Sequence, residues 1–342
     1  MDKIEKLRQA IAQLPRVSLG VLPTPFENLA RLSKHLSGPE IYMKRDDLTG
    51  LAFGGNKTRM LEFSLADALT KGADTVVTGA AVQSNYCRQM AAACAKLGLE
   101  LHLVLRPERE IDQKEIQGNH LLQRLFGAQV TILENNNRDK QQSAIQAKIG
   151  QLRSKGKTVY HPRQAETIDL DVIAYAEAAI EIVQQCREYQ IVPDYLYTAA
   201  ADTTQAGLVL GLKYLESSIR VRGFNPLPGS LENTQSMVDM AAQAAARLGF
   251  PATLTIDDFD SDDRFLGERY GVPTEAGVET IYLAAQTEGI LLDPVYTSKA
   301  MSGLIAHIQM GLLPVETPVI FLHTGGAPAL FGYVQDIMGA SG

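Results

Sequence analysis

The chain reads as an α/β protein with mainly parallel sheets, and two observations carry that reading. Short apolar, β-branched runs alternate with helical spans along most of the sequence, the pattern of right-handed βαβ units. At 342 residues the chain exceeds the size at which one hydrophobic core usually stops growing, so two domains are expected.

The elements follow in order. Residues 40–50 predict a short strand running into a polar turn, and 75–78, Thr-Val-Val-Thr, a second strand. The alanine-rich run 88–97 predicts a helix, 101–105 a strand, 118–126 a helix and 128–133 a strand. A helix over 139–155 and a strand over 158–160 close this series; the polar stretch 135–139 reads as a loop and not a domain linker. A second series runs helix 174–186, strand 195–198, helix 205–215, strand 220–224 and helix 231–248. Helices over 277–286 and 298–309 and a strand over 319–322 complete it, with no internal repeat or low-complexity tract.

Composition removes several classes of function. A net charge of −7 argues against a nucleic-acid groove or an anionic membrane surface as partner. There is no run of 18 apolar residues, and Met1-Asp2-Lys3-Ile4-Glu5-Lys6 is charged and unlike a signal peptide. Cys87, Cys94 and Cys186 have neither metal-site nor disulfide spacing, so no metal and a reducing cytoplasm are expected.

The richest stretch is Phe53-Gly54-Gly55-Asn56-Lys57-Thr58-Arg59-Met60. Paired glycines allow positive φ and close packing against a flat group, and Asn56 and the following first-turn amides offer hydrogen bonds to the same spot. A lysine directly behind such a turn suits a Schiff base with an aldehyde cofactor, although a solvated lysine after an ordinary turn has the same short signature. Three further blocks accompany it: Ala81-Val82-Gln83-Ser84-Asn85-Tyr86-Cys87-Arg88-Gln89, Leu292-Asp293-Pro294-Val295-Tyr296-Thr297, and His323-Thr324-Gly325-Gly326-Ala327-Pro328.

Together these blocks resemble the fold-type II pyridoxal phosphate enzymes, the tryptophan synthase β-like group. Within that group they are similar to the D-cysteine desulfhydrase and 1-aminocyclopropane-1-carboxylate deaminase family, over nearly the whole chain from Leu22 to Tyr333. The resemblance implies two three-layer αβα domains. A small one, 54–163, would be inserted in a larger cofactor-binding one made of 1–53 and 164–342, with pyridoxal 5'-phosphate in the cleft. It also implies a homodimer acting on a small amino acid.

By the same resemblance Lys57 holds the cofactor and serves as base at the substrate α-carbon. Ser84 and Asn85 lie against cofactor and substrate, with Asn85 on the ring oxygen. The helix amides near Tyr86 and Cys87 would hold the substrate carboxylate, and Gln83 and Tyr86 count among the substrate-binding residues. Ser84 also reads as a helix N-cap, and the two roles are compatible. Tyr270 and Tyr296 match two active-site tyrosines, whose alternative is packing with a satisfied hydroxyl. Thr297 stands where the cyclopropane deaminases carry a glutamate for the pyridine nitrogen, and Thr324 offers a second neutral hydroxyl. A neutral partner leaves that nitrogen largely unprotonated, which suits β-elimination of a good leaving group over ring opening.

The phosphate end departs from the pattern. Relatives carry a glycine-rich loop where this chain reads Ala199-Ala200-Ala201-Asp202-Thr203-Thr204, and the basic residue often found three after the lysine is Met60. Arg163 stands in place of a small residue. It would bind the phosphate, read an anionic substrate group, or face solvent. The expected activity is a D-cysteine desulfhydrase-like lyase giving pyruvate, ammonia and sulfide. Alternatives are L-cysteate sulfo-lyase activity, 1-aminocyclopropane-1-carboxylate deaminase, and a catalytically silent binding protein of the same fold.

Overall fold

The computed structural model describes residues 2–199, 202–225, 230–251 and 253–339. Ten strands are present among them: β1 Phe26–Asn28, β2 Ile41–Arg45, β3 Thr75–Ala81, β4 Glu100–Arg106, β5 Gln129–Ile132, β6 Val159–Tyr160, β7 Tyr195–Thr198, β8 Arg220–Phe224, β9 Asp260–Asp262 and β10 Val319–His323. They form a six-stranded sheet, β1-β2-β10-β7-β8-β9, and a four-stranded sheet, β5-β4-β3-β6. Every pairing is parallel except that of β1 with β2 at the edge of the larger sheet.

Alternation along the strands feeds helices on both faces of each sheet. On β10, Ile320 and Leu322 join a core with the helices Ile168–Glu188 and Thr203–Tyr214, while Val319 and Phe321 join the core of Glu275–Glu288 and Thr297–Gln309. In the smaller sheet Val76, Leu101, Leu103 and Leu105 pack on the helices Lys57–Thr70 and Asn85–Leu97. Val77 and Val104 face the helix Arg138–Arg153 on the other side. Each such fully buried aliphatic side chain contributes roughly 1.5–3 kcal/mol by leaving water. The result is a pair of three-layer αβα sandwiches, as the family resemblance implies. No helix among the described residues is long and apolar enough to cross a membrane.

Some elements differ from expectation. The long helix starts at Ile168 and not at 174, because Asp169 and Asp171 in its first turn suit the positive end of the helix dipole. The helix Lys3–Ala12 was not anticipated, although Ile4, Leu7 and Ile11 form its buried stripe. Nor was β9, whose Asp-Ser-Asp sequence reads as loop; it is held by backbone pairing to β8 and by Arg222, which donates to Asp260 Oδ2 at 2.6 and 2.8 Å.

Candidate active site

Parallel strands bring the ends of β3, β7 and β10 to the same side, where a cavity of about 550 Å³ opens between the sheets. Lys57, the first residue of its helix, lies on its wall. The turn before it takes positive φ at Gly54 (67°) and Gly55 (131°), and a Cβ on Gly54 would sit 1.9 Å from the Asp47 carbonyl oxygen. Gly325 presses on the same turn, since its own Cβ would fall 2.6 Å from the Gly55 Cα.

Hydrogen bonds fasten this turn on several sides. The Gly55 N–H donates to the Asp46 carbonyl at 2.9 Å, and the Asn56 N–H to the Thr324 carbonyl at 3.0 Å. Asn56 Nδ2 donates to Thr204 Oγ1 at 3.1 Å. Burial, and then the charge of Arg163, push the Lys57 amine down to about 8 against the pull of Asp202 and Asp171. A minor neutral fraction is therefore present at neutral pH, and it grows as pH rises through about 8. Linkage of pyridoxal phosphate to the cofactor-free protein is expected to accelerate as pH rises through about 8, followed by stopped-flow absorbance. A pH-independent rate between 6 and 9 would contradict this.

Ser84 is the N-cap of the helix Asn85–Leu97, its Oγ accepting from the Cys87 N–H at 3.2 Å. Ser84, Asn85 and Tyr86 all line the cavity, so the first turn of that helix faces it. Tyr270 and Tyr296 also line the cavity, and their hydroxyls meet at 2.5 Å. Burial pushes Tyr270 up to about 12 and Tyr296 well above its ordinary value, so both are neutral phenols.

At the far end lie Thr204, Asp202 and Arg163, beside the start of the helix Thr203–Tyr214. Arg163, at φ 60°, donates to the Asp202 carboxylate, and its Nε lies 3.6 Å from Asp171 Oδ2. Burial raises Asp202, but Arg163 and Lys57 overcome that and hold its carboxyl below the usual range. Thr324, whose carbonyl accepts the Asn56 N–H, also lines the wall.

Three expected residues are not on this wall. Gln83 turns away: its Nε2 donates to the Gln117 carbonyl at 3.1 Å and its Oε1 accepts the Asn119 N–H at 2.9 Å. The buried Thr203 hydroxyl faces Met60 Sδ. Thr297, expected at the ring nitrogen, donates its hydroxyl to Asp293 Oδ1 and accepts the Asp293 N–H, both at 2.8 Å. Local capping of its own helix holds that side chain, whereas Thr324 lies on the cavity wall. Ala200 and Ala201 lie outside the described residues. The sequence reading missed Asp171, Arg106 and Arg138, of which the last two line the cavity. Asp171 was hidden in a helical run, and the arginines end a strand and begin a helix without any motif.

These residues fit an aldehyde cofactor with an anionic end. The amine has a lowered pKa, side chains are barred at the glycine floor, and a helix N-terminus lies beside Arg163. The fold and site are those of a pyridoxal phosphate-dependent enzyme. The chain belongs to the pyridoxal-phosphate dependent enzyme family, whose model matches residues 17–325. It is 40% identical over 328 residues to D-cysteine desulfhydrase of Salmonella typhi, covering 94% of this chain and 97% of the relative. The crystal structure of an ACC deaminase homologue superimposes with a TM-score of 0.87 at 32% identity, covering 98% of this chain and 99% of the other. The apo diaminopropionate ammonia lyase of Escherichia coli shares the fold, with a TM-score of 0.64 at 16% identity over 98% of this chain and 90% of that one.

Proposed function

We propose that the protein is a carbon–sulfur lyase that eliminates the β-substituent of a small amino acid, with D-cysteine and water giving pyruvate, ammonia and sulfide. The observation that carries the reading is the neutral hydroxyl of Thr324 on the wall, with Thr297 turned to Asp293 and the wall carboxylate Asp202 engaged by Arg163. Without a carboxylate partner at the ring nitrogen, the site suits departure of a thiolate better than opening of a cyclopropane. Bound pyridoxal phosphate supplies the electron sink for the pair left on the α-carbon when its proton is removed.

The chain's own residues do the rest. Lys57 anchors the cofactor and, when released, its neutral amine takes the α-proton. Ser84 and the first-turn amides of its helix hold the substrate carboxylate, and Asn85 donates to the cofactor's ring oxygen. The paired phenols of Tyr270 and Tyr296 stay protonated and orient the substrate by hydrogen bonding. Asn56, Thr204, the amides of the Thr203 helix and Arg163 hold the phosphate. Three buried free cysteines are consistent with a reducing cytoplasm, and exposed Phe53, Leu125 and Phe331 with burial in a homodimer.

Incubation with D-cysteine, L-cysteine, L-cysteate and 1-aminocyclopropane-1-carboxylate, with assay of 2-oxo acid and ammonia, tests the reading. D-Cysteine should give equal amounts of pyruvate, ammonia and sulfide. More efficient release of 2-oxobutanoate from the cyclopropane substrate would overturn it. Arg163→Ala is expected to weaken cofactor binding by about 1.5–3 kcal/mol, the worth of a hydrogen bond to a charged group. Unchanged cofactor affinity with a raised KM would move Arg163 to the substrate instead.

A further inference from the structure

We propose that Arg88 and Asn119 are positioning residues that lock the amide of Asn85 so that its Nδ2 donates into the cavity. The inference rests on the assignment of Asn85 to the cofactor's ring oxygen. Arg88 is fully buried, yet all its hydrogen bonds among the described residues go to neutral oxygens. Nη1 donates to Asn85 Oδ1 and to Asn119 Oδ1, each at 2.9 Å, and Nη2 donates to the Gly54 carbonyl at 2.6 Å. Its Nε is buried and has no partner among the described residues. A buried cation lacking a carboxylate in contact is costly, and packing alone would be served better by an apolar side chain.

The two ends of an amide differ little in size, but their chemistry is settled here by the neighbours. A guanidinium only donates, so the Asn85 atom it meets is the oxygen. Asn119 Nδ2 supplies a second donor to the same oxygen at 2.8 Å. Asn119 is itself held, its Nδ2 also reaching the Gln83 carbonyl at 2.8 Å and its N–H reaching Gln83 Oε1 at 2.9 Å. With Oδ1 occupied twice, Nδ2 is the group left to face the cavity that Asn85 lines. Gly326 keeps it clear, since a Cβ there would lie 2.9 Å from that nitrogen. Two donors on the oxygen also polarise the amide and strengthen Nδ2 as a donor. Through Gly54, Arg88 ties the Lys57 turn to the same network.

The test is titration of cofactor-free protein with pyridoxal phosphate, comparing wild type, Asn85→Ala, Asn119→Ala and the double variant. Asn85→Ala should weaken binding roughly tenfold and Asn119→Ala by about 3- to 10-fold. The double variant should bind no more weakly than Asn85→Ala, because Asn119 acts through Asn85. Arg88→Met should weaken binding about tenfold or more, with partial recovery in Arg88→Lys. An equal loss from Asn119→Ala in the Asn85→Ala background would overturn the positioning role alone. Unchanged affinity in Asn85→Ala would overturn the assignment of Asn85 to the cofactor, and the inference with it.

Discussion

Lys57→Ala is expected to lower turnover of D-cysteine by several powers of ten while leaving non-covalent cofactor contacts in place. Loss of a positioned general base costs roughly 10²–10⁴-fold by itself. On the proposed role of Lys57, the same substitution also removes the amine that would anchor and release the cofactor, so the loss should exceed that range. Asn56, Thr204 and the helix start at Thr203 are untouched by it, and cofactor is expected to co-purify or rebind. Single-turnover assays on reloaded protein separate the two effects. Retention of more than about a hundredth of wild-type turnover would show that another group takes the α-proton.

Asp46→Ala should give the largest loss of stability. Asp46 is fully buried and accepts from Arg59 Nε and Nη2, both at 2.9 Å, and from the hydroxyls of Thr24 and Tyr175, both at 2.7 Å. Arg59 also reaches Glu181 at 2.8 Å, and Lys44 meets the same glutamate at 2.7 Å. Such a network adds little over an apolar core when whole, but removing one partner strands buried charge and costs about 3–5 kcal/mol. Denaturant unfolding should show a loss of that size, against less than about 1 kcal/mol for Glu5→Ala in the exposed pair with Arg8. Burial raises the Asp46 carboxyl, and Arg59 and Lys44 outweigh it and hold the group below its ordinary value. Its stabilisation is therefore complete above the unfolded carboxyl range and fades as pH falls through the lower folded value. The variant should lack that acid-sensitive component. A cost below about 1 kcal/mol would contradict the account.

Much of the architecture is legible in the chain because parallel strands buried on both faces leave continuous apolar runs. Thr75–Ala81 and Glu100–Arg106 are of that kind. The three-residue strand β9 is not, since its pairing rests on backbone and on an arginine from β8. On the cavity wall, the settings of Lys57, Ser84 and Asn85 were legible because backbone geometry forces them: glycines before the lysine, a serine cap before a helix. Thr297 was not, because a side chain at a helix start chooses between cavity and local cap, and the Asp293 carboxylate and N–H win it. Arg88 reads as one more helical residue, because its partners Asn119 and Gly54 come from elsewhere in the chain.

A lowered pKa does not by itself single out Lys57. Lys299 is also pushed down to about 8 by burial, but it is buried with its Nζ donating to the Leu266 carbonyl at 2.6 Å. Borohydride reduction of the cofactor-loaded protein, followed by proteolysis and mass spectrometry, distinguishes them. The account predicts a pyridoxyl label on the peptide containing Lys57 and on no other. A label on Lys299, or on any lysine away from the Gly54-Gly55 turn, would contradict it.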